Sequence, residues 1–279
     1  FEILMRIEAE RSFSSVLLAT ADDHLKQADA GLCRQLVLGV LRTQLYLDRV
    51  IDGLASAKKI DLAVRQAIRI VLFQLLFLDR IPHYSAINES VELVAAAKKR
   101  SAKGFVNGVL RNALRGLPKI EFVDEIDRIS TETSHPRWLL ETWIEQFGTE
   151  RAFAIAAANN EPVPIAFRKT ASSPPGLDLS SYSRSEFADG YLADAMNAEL
   201  LQLSQSGHIY FQGEGSQLIG GLVPIDGGKF LDVCAAPGSK LTQVVANSSR
   251  PPAAVGGDLH FHRVRQMQRA AAKQNATGY

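Results

Sequence analysis

Asp232, Cys234, Gly238 and Asp258 are the residues of this 279-residue sequence whose types and spacing suit chemistry. The first three lie in "FLDVCAAPGSK", residues 230–240. Phe230–Val233 reads as a short buried strand. Cys234, Ala235, Ala236, Pro237 and Gly238 then make a tight turn, and Ser239 and Lys240 open a helix. Small residues let a backbone approach a ligand closely, and a helix start offers N–H donors without partners. Ala253–Gly257 reads as a second strand, ended by Asp258. An acid at that point can accept hydrogen bonds from both hydroxyls of a ribose. The loop is neither the G-x-G-x-x-G fingerprint nor the G-x-x-x-x-G-K-[ST] phosphate loop. It reads as a site for an adenosine-type ligand; the alternative is a plain strand–turn–helix. Cys234 itself admits three roles: nucleophile, metal ligand or loop residue.

A second stretch carries charge. Lys98, Lys99, Arg100, Lys103, Arg111 and Arg115 follow one another with no acid between them. Such blocks bind phosphates and make binding salt-dependent. A solvated helix face is the alternative. Asn107 and Asn112 can add polar contacts or serve as capping or turn residues. His260 and His262 are two apart at a helix start and do not face each other, so no metal site is expected. His83, beside a helix-ending proline, reads as structural. Cys33, on an amphipathic helix, reads as core. Trp138 and Trp143 have a spacing that favours packing over base stacking.

The elements that position these residues fall into three groups. To about Leu117 the pattern is helical. Asp29 can cap a helix from Gly31 to Leu54, and Asp61 the next, which is apolar on more than one face and so central. Pro82 ends it. Ser85 and Ser101 can start two more, and Gly116-Leu117-Pro118 is the exit. Residues 119–225 are mixed. "EFVDEIDRIS" reads as a polar connector, and "SHPRWLLETWIEQFG" as a helix with Trp138, Leu139, Trp143 and Phe147 on its apolar side. A helix over Arg151–Ala158 follows. "PIAFRK" and "HIYFQ" read as short strands, and Ser216 can cap a short helix. From Lys229 the order is β-α-β-α, the opening of a doubly wound parallel sheet.

Composition bounds the class. With 46% hydrophobic residues and a length suited to about two domains, the chain can build a proper core. A net charge of +1 does not mark the whole chain as a nucleic-acid binder. Cys33 and Cys234 form neither a disulfide framework nor a zinc spacing, which points to a reducing, cytoplasmic setting. No apolar run approaches the roughly 20 residues that span a bilayer, and no signal peptide is visible. The sequence starts at Phe1 and stops at Tyr279 where a third strand is due, which reads as part of something longer.

Several stretches together carry a resemblance. "DVCAAPGSK" resembles the first motif of the RNA cytosine-5 methyltransferases that use S-adenosylmethionine, and "VGGDL" their second. "AINESVELVAAAKKRSAKGFVNGVLRNALR" is similar to the NusB-like RNA-binding domain. "HPRWLLETWIEQFG" and "ANNEPVPIAFR" resemble the segment that joins that domain to the methylase, and "YFQGEGSQLIGGLV" the motif preceding the cofactor loop. Their order matches the bacterial small-subunit ribosomal RNA cytosine-5 methyltransferases, the RsmB/Fmu/Sun group, over essentially the whole chain. Departures are Ser239 where the family has a second glycine, Leu241 where it has threonine, and Gln212-Gly213-Glu214-Gly215-Ser216 where it has Gln-Asp-Glu-Ala-Ser.

The resemblance implies a multi-domain protein. It has an all-α NusB-like helical domain over 1–118 and a small α+β connecting subdomain over 119–225. The start of a Rossmann-like α/β class I methyltransferase domain follows over 226–279. It implies S-adenosylmethionine held by Cys234, Ala235, Ala236, Pro237, Gly238, Ser239, Lys240 and Asp258. It implies small-subunit ribosomal RNA contacted through Lys98, Lys99, Arg100, Lys103, Arg111 and Arg115, with no metal, no membrane and a monomeric state. The family's nucleophile lies in a Thr-Cys motif and its helper in a Pro-Cys motif. Neither occurs in residues 1–279, so Cys234 becomes a loop residue and the attacking cysteine is expected after Tyr279. Two other functions stay open: a NusB-type RNA-binding module without catalysis, and a methyltransferase acting on transfer RNA or protein.

Overall fold

The structure, a computed structural model, describes residues 1–22, 24–55 and 59–276. Its chain divides into two units, Phe1–Glu161 and Pro162–Tyr279. The division falls inside the stretch assigned above to a connecting subdomain.

The first unit is helical: α1 (Glu2–Glu10), α2 (Ser14–Asp22), α3 (Gln27–Arg42), α4 (Gln44–Leu54), α5 (Leu62–Phe77), α6 (His83–Ala96), α7 (Lys103–Arg115), α8 (Glu125–Thr133), α9 (Arg137–Phe147) and α10 (Thr149–Ala158). As its all-round apolar pattern predicts, α5 is the centre, packed on α1, α3, α4, α6 and α7. Asp61 caps it, accepting from the Ala63 amide at 3.0 Å. Gly39 lets α3 approach, because a Cβ there would lie 2.0 Å from the Phe73 ring.

Arg69, on α5 and 2% exposed, is held inside this core by carboxylates. It meets both oxygens of Asp48, at 2.8 and 2.6 Å, and Glu8 at 2.6 Å. The hydrophobic period shows which face is buried but not which charges are buried with it.

Several local expectations change. The predicted helix from Gly31 to Leu54 breaks at Thr43, whose hydroxyl bonds back to the Gly39 carbonyl at 2.8 Å, and Lys26 rather than Asp29 takes the capping position. Pro82 is the residue before α6 rather than the end of α5, so α6 starts at His83 instead of Ser85. A single 3-10 turn, Arg100–Ala102, precedes α7, which begins at Lys103 and not at Ser101. The "polar connector" contains α8. Asp124 caps it through the Asp127 amide at 2.7 Å, and Arg128 pairs with Glu125 and Glu132 along its face. On α9 the buried residue is Leu140, whereas Trp138 is 65% exposed.

The second unit holds two small sheets. β1 (Ile165–Lys169), β2 (Ser183–Arg184), β3 (Tyr191–Ala193) and β4 (Ile209–Phe211) form an antiparallel sheet of order β2-β3-β1-β4, with α11 (Ala198–Gln205) between β3 and β4 in sequence. Phe167 is its fully buried centre, ringed by Tyr182, Tyr191 and Phe211. β2 and β3, at two and three residues, are too short to show a strand period in sequence, and α11 spans only eight. Next comes α12 (Glu214–Gly221), started by Gly213, with Ser216 inside the helix instead of capping it. β5 (Lys229–Asp232), α13 (Ser239–Asn247), β6 (Ala253–Gly256) and α14 (Phe261–Lys273) follow, and β5 pairs with β6 in parallel. That is the expected β-α-β-α order. The β5 segment is not buried on both faces, since Leu231 and Val233 are 65% and 68% exposed. Among the described residues no helix is long and apolar enough to cross a membrane.

Candidate cofactor-binding site

The turn after β5 is stitched to the end of β6. The Ala235 amide donates to the Gly257 carbonyl and the Gly257 amide to the Asp232 carbonyl, each at 2.8 Å. The Asp232 side chain accepts from the Cys234 amide at 3.1 Å. Ala235 and Ala236 are buried with Leu241 and Met267, while Cys234 is exposed. Gly238 has φ 99°, and a Cβ there would lie 2.9 Å from Met267 Cγ, so both backbone and space require glycine. Ser239 is already the first residue of α13, with no positive φ. The departure from a second glycine therefore puts no strain on the loop. Leu241, in place of threonine, is one of the buried residues that pack the turn.

No side chain caps α13. The amides of Ser239, Lys240 and Leu241 thus have no intrahelical acceptor and carry the positive end of the helix dipole. Lys240 is exposed beside them. Asp258 follows β6, with its side chain 6% exposed and one oxygen accepting from the His260 amide at 3.0 Å. Arg263, which the sequence reading missed, reaches the other oxygen at 3.4 Å and the Ala236 carbonyl at 3.1 Å. The structure thus brings residues 234–240 and Asp258 into one neighbourhood. Donors at a helix start and an acceptor at the next strand end suit a ligand with an anionic end and vicinal hydroxyls. Contrary to the expectation from their spacing, His260 and His262 do face each other, with rings stacked 5.7 Å apart. No group of three or more metal-binding side chains occurs among the described residues.

A buried polar network braces this site from behind. Arg168 of β1 donates to the Ser239 carbonyl at 3.0 Å and to Thr242 Oγ1 at 2.9 Å, which ties the first sheet to the first turn of α13. Gln212 accepts from Arg168 at 2.7 Å and donates to Gln243 at 2.7 Å. Gln212 heads the Gln212–Ser216 motif, so that motif acts here through the backing of α13.

The basic residues lie on the first unit. Lys103, Arg111 and Arg115 fall on α7 at multiples of four residues and share a face. Asn107 and Asn112 lie inside α7 rather than in a turn and accept from Arg111 and Arg115 at 3.2 and 3.4 Å. Lys98, Lys99 and Arg100 are exposed just before the helix. The absence of acids holds only along the sequence: Lys99 pairs with Asp61 at 2.7 Å and Lys103 with Glu92 at 3.0 Å. Among the described residues the other four cations have no carboxylate partner.

Comparison with known proteins bears on both parts. The NusB family model matches residues 1–115. Residues 1–115 are a NusB-family domain. The NusB domain opens a chain that is homologous over most of its length to proteins named ribosomal RNA small subunit methyltransferase B. It is 29% identical over 299 positions to the probable methyltransferase of that name from Bacillus subtilis, covering 99% of this chain and 65% of that protein. It is 31% identical over 289 positions to the one from Pseudomonas putida, covering 94% and 65%. With the Erwinia tasmaniensis protein the identity is 34% over 256 positions, covering 86% and 58%. The chain thus spans 65% or less of the length of these relatives. The crystal structure of PH0851 superposes with a TM-score of 0.73 over 98% of this chain and 66% of that one, at 16% identity, which shows a shared fold.

Proposed function

We propose that this chain is the NusB-like and cofactor-loop part of an S-adenosylmethionine-dependent enzyme that methylates carbon 5 of a cytosine in small-subunit ribosomal RNA. The observation that carries the proposal is the parallel β5–β6 pair, whose turn runs into the uncapped start of α13 beside Asp258. In this reading β5, α13, β6 and α14 open a Rossmann-like class I methyltransferase domain over residues 226–279. Residues 1–118 and the connecting stretch 119–225 contact RNA. The homologues' names support the reaction class.

Bound S-adenosylmethionine supplies an electrophilic methyl group. Residues 234–240 hold its methionine end against the free amides of α13, and Asp258 accepts from its ribose hydroxyls. The attacking group is a thiolate that adds to carbon 6 of a flipped-out cytosine, which makes carbon 5 nucleophilic. In this reading the attacking thiol is that of the Thr-Cys motif which the resemblance implies and which residues 1–279 lack, and Cys234 is a loop residue. Lys98, Lys99, Arg100, Lys103, Arg111 and Arg115 meet RNA phosphates. The protein acts as a monomer in the cytoplasm.

Calorimetry with S-adenosylmethionine tests the cofactor loop; absence of binding favours a NusB-type RNA-binding module. Labelled-methyl transfer by the longer protein to RNA from a strain lacking the enzyme, with nucleoside analysis, tests the substrate. Label in transfer RNA alone would overturn the ribosomal assignment.

A further inference from the structure

A second cluster of cations lines a cavity of about 180 Å³ in the second unit. Arg168 and Lys169 come from β1, Arg184 from β2, Tyr191 from β3 and Asn247 from the end of α13. No residue of the 234–240 loop lines it. The volume is below the roughly 300–1,000 Å³ of sites for drug-sized ligands, which suits a small ion or group.

Arg168 is the member that needs an explanation. It is 3% exposed. Its partners are Gln212 Oε1, the Lys169 and Ser239 carbonyls, Thr242 Oγ1 and Gln274 Oε1, at 2.7 to 3.3 Å, and the face of Tyr210, whose ring centroid lies 5.4 Å from Cζ. All are neutral, and among the described residues no carboxylate touches the guanidinium. Nη1 has two hydrogens and a single acceptor, the Lys169 carbonyl at 3.1 Å. Burial lowers the pKa to about 10, so the group is still a cation at neutral pH. Buried charges are ordinarily paired, as Arg69 is with Asp48 and Glu8. Here the missing countercharge has a place to come from, because the buried cation borders a polar cavity open to solvent.

The mouth is built to match. Arg184 lies 4.7 Å and Lys169 6.0 Å from the Tyr191 ring centroid, so one aromatic face gathers both cations. Asp189 is the acid among the lining residues. It pairs with Arg184 at 2.9 Å with 83% of its side chain exposed, and exposed pairs of this kind contribute little. A phosphate offers Arg184 a bidentate partner in its place.

We propose that this cavity is an anion subsite that takes a phosphate group, with Arg168 at its floor and Lys169 and Arg184 closing over it. Given the function proposed above, the group is a phosphodiester of the RNA backbone. Free phosphate presents the same oxygens, and the test separates the two.

Inorganic phosphate is titrated into the 279-residue chain at constant ionic strength, followed by calorimetry and by phosphorus NMR. The wild type is compared with Lys169→Gln/Arg184→Gln, both exposed positions, with melting temperature as the check on folding. The single variants serve if the double one melts early. The expected result is one saturable site that weakens at least tenfold in the variant. No saturable site, or equal affinity in both proteins, overturns the proposal. Single-stranded RNA is then added. Displacement of phosphate, together with a salt slope that falls by about 0.7 in the variant, identifies a backbone phosphodiester. RNA binding with neither effect overturns the RNA source and leaves free phosphate as the ligand. S-adenosylmethionine affinity is measured in parallel. Its absence in the wild type would remove the cofactor reading without touching the phosphate result.

Discussion

Arg263 holds Asp258 with one guanidinium nitrogen at 3.4 Å and the Ala236 carbonyl with the other at 3.1 Å. One side chain of α14 therefore fixes both the acid after β6 and the turn after β5. With Asp258 only 6% exposed by side chain, its carboxylate has little freedom to reorient. An acceptor already held in place loses less entropy when a ribose binds than one on a mobile loop.

Asp258→Ala removes that acceptor and the partner of Arg263 together. S-adenosylmethionine affinity should fall by about 1–3 kcal/mol, the scale for a lost hydrogen-bonded charge. Arg263→Ala should cost less, because the carboxylate remains. Calorimetry on the two variants reads both, and an unchanged affinity in Asp258→Ala would sink the ribose role.

Charge reversal in the basic segment at and just before α7 should weaken RNA binding and flatten its salt dependence. Arg100→Glu with Arg111→Glu is the clean pair, since neither has a carboxylate partner among the described residues. Lys99→Glu is less clean because it also breaks the bridge to Asp61. The slope of log affinity against log salt checks it, and an unaltered slope moves the RNA face elsewhere.

Local signals were legible in the sequence and distant pairings were not. Asp61 as a cap, Gly148 as a stop and the Phe230–Lys240 strand–turn–helix follow from residue type and spacing over a few positions. Arg263 and Ala236 are 27 apart in sequence, and Arg168 and Ser239 are 71 apart. Periodicity assigns faces but cannot pair such residues. The same limit hid Asp61 and Glu92 opposite Lys99 and Lys103, and made a segment look free of acids when its neighbours in space are not. The α8 cap was readable, since Asp124 stands three residues before Asp127, but the polar composition around it masked the helix.

Cys234→Ser should leave cofactor affinity within about twofold, because the loop is held through the Cys234 amide and not its exposed thiol. In the longer protein the same variant should still form a covalent adduct with RNA containing 5-fluorocytosine. Loss of the adduct with cofactor still bound would make Cys234 the attacking residue.

Asp61 ties α5 to Lys99, and acid should loosen both. The Lys99 ammonium, with the Ala63 and Val64 amides, holds the Asp61 carboxyl below its ordinary value. A depressed folded-state pKa means that the stabilisation is complete above the unfolded value, about 4. It is lost as pH falls through the lower, folded value. The contribution is modest, about 1 kcal/mol as for other helix caps, because the pair is nearly half exposed. Asp61→Asn keeps an acceptor for the Ala63 amide and removes the charge. It should therefore differ from the wild type at pH 7 and converge on it once the pH has fallen below the lowered, folded-state value. Denaturant unfolding of the two proteins across pH checks this, and a constant difference at every pH would rule out a charged cap.

Asp48→Ala should be the most destabilising of these changes. Among the described residues it leaves Arg69, 2% exposed, with Glu8 as its remaining carboxylate, and it removes one of the two acids, Asp48 and Asp52, that hold Arg65. Breaking a buried pair from one side leaves a charge without its solvent or its partner, at a cost of about 3–5 kcal/mol. Replacing both Asp48 and Arg69 with apolar residues of similar volume, Asp48→Leu with Arg69→Met, should recover much of that loss, since no charge is then stranded. Urea unfolding of the single and double variants separates the cases. A double variant no more stable than Asp48→Ala would mean that packing around α5, not the stranded charge, sets the cost.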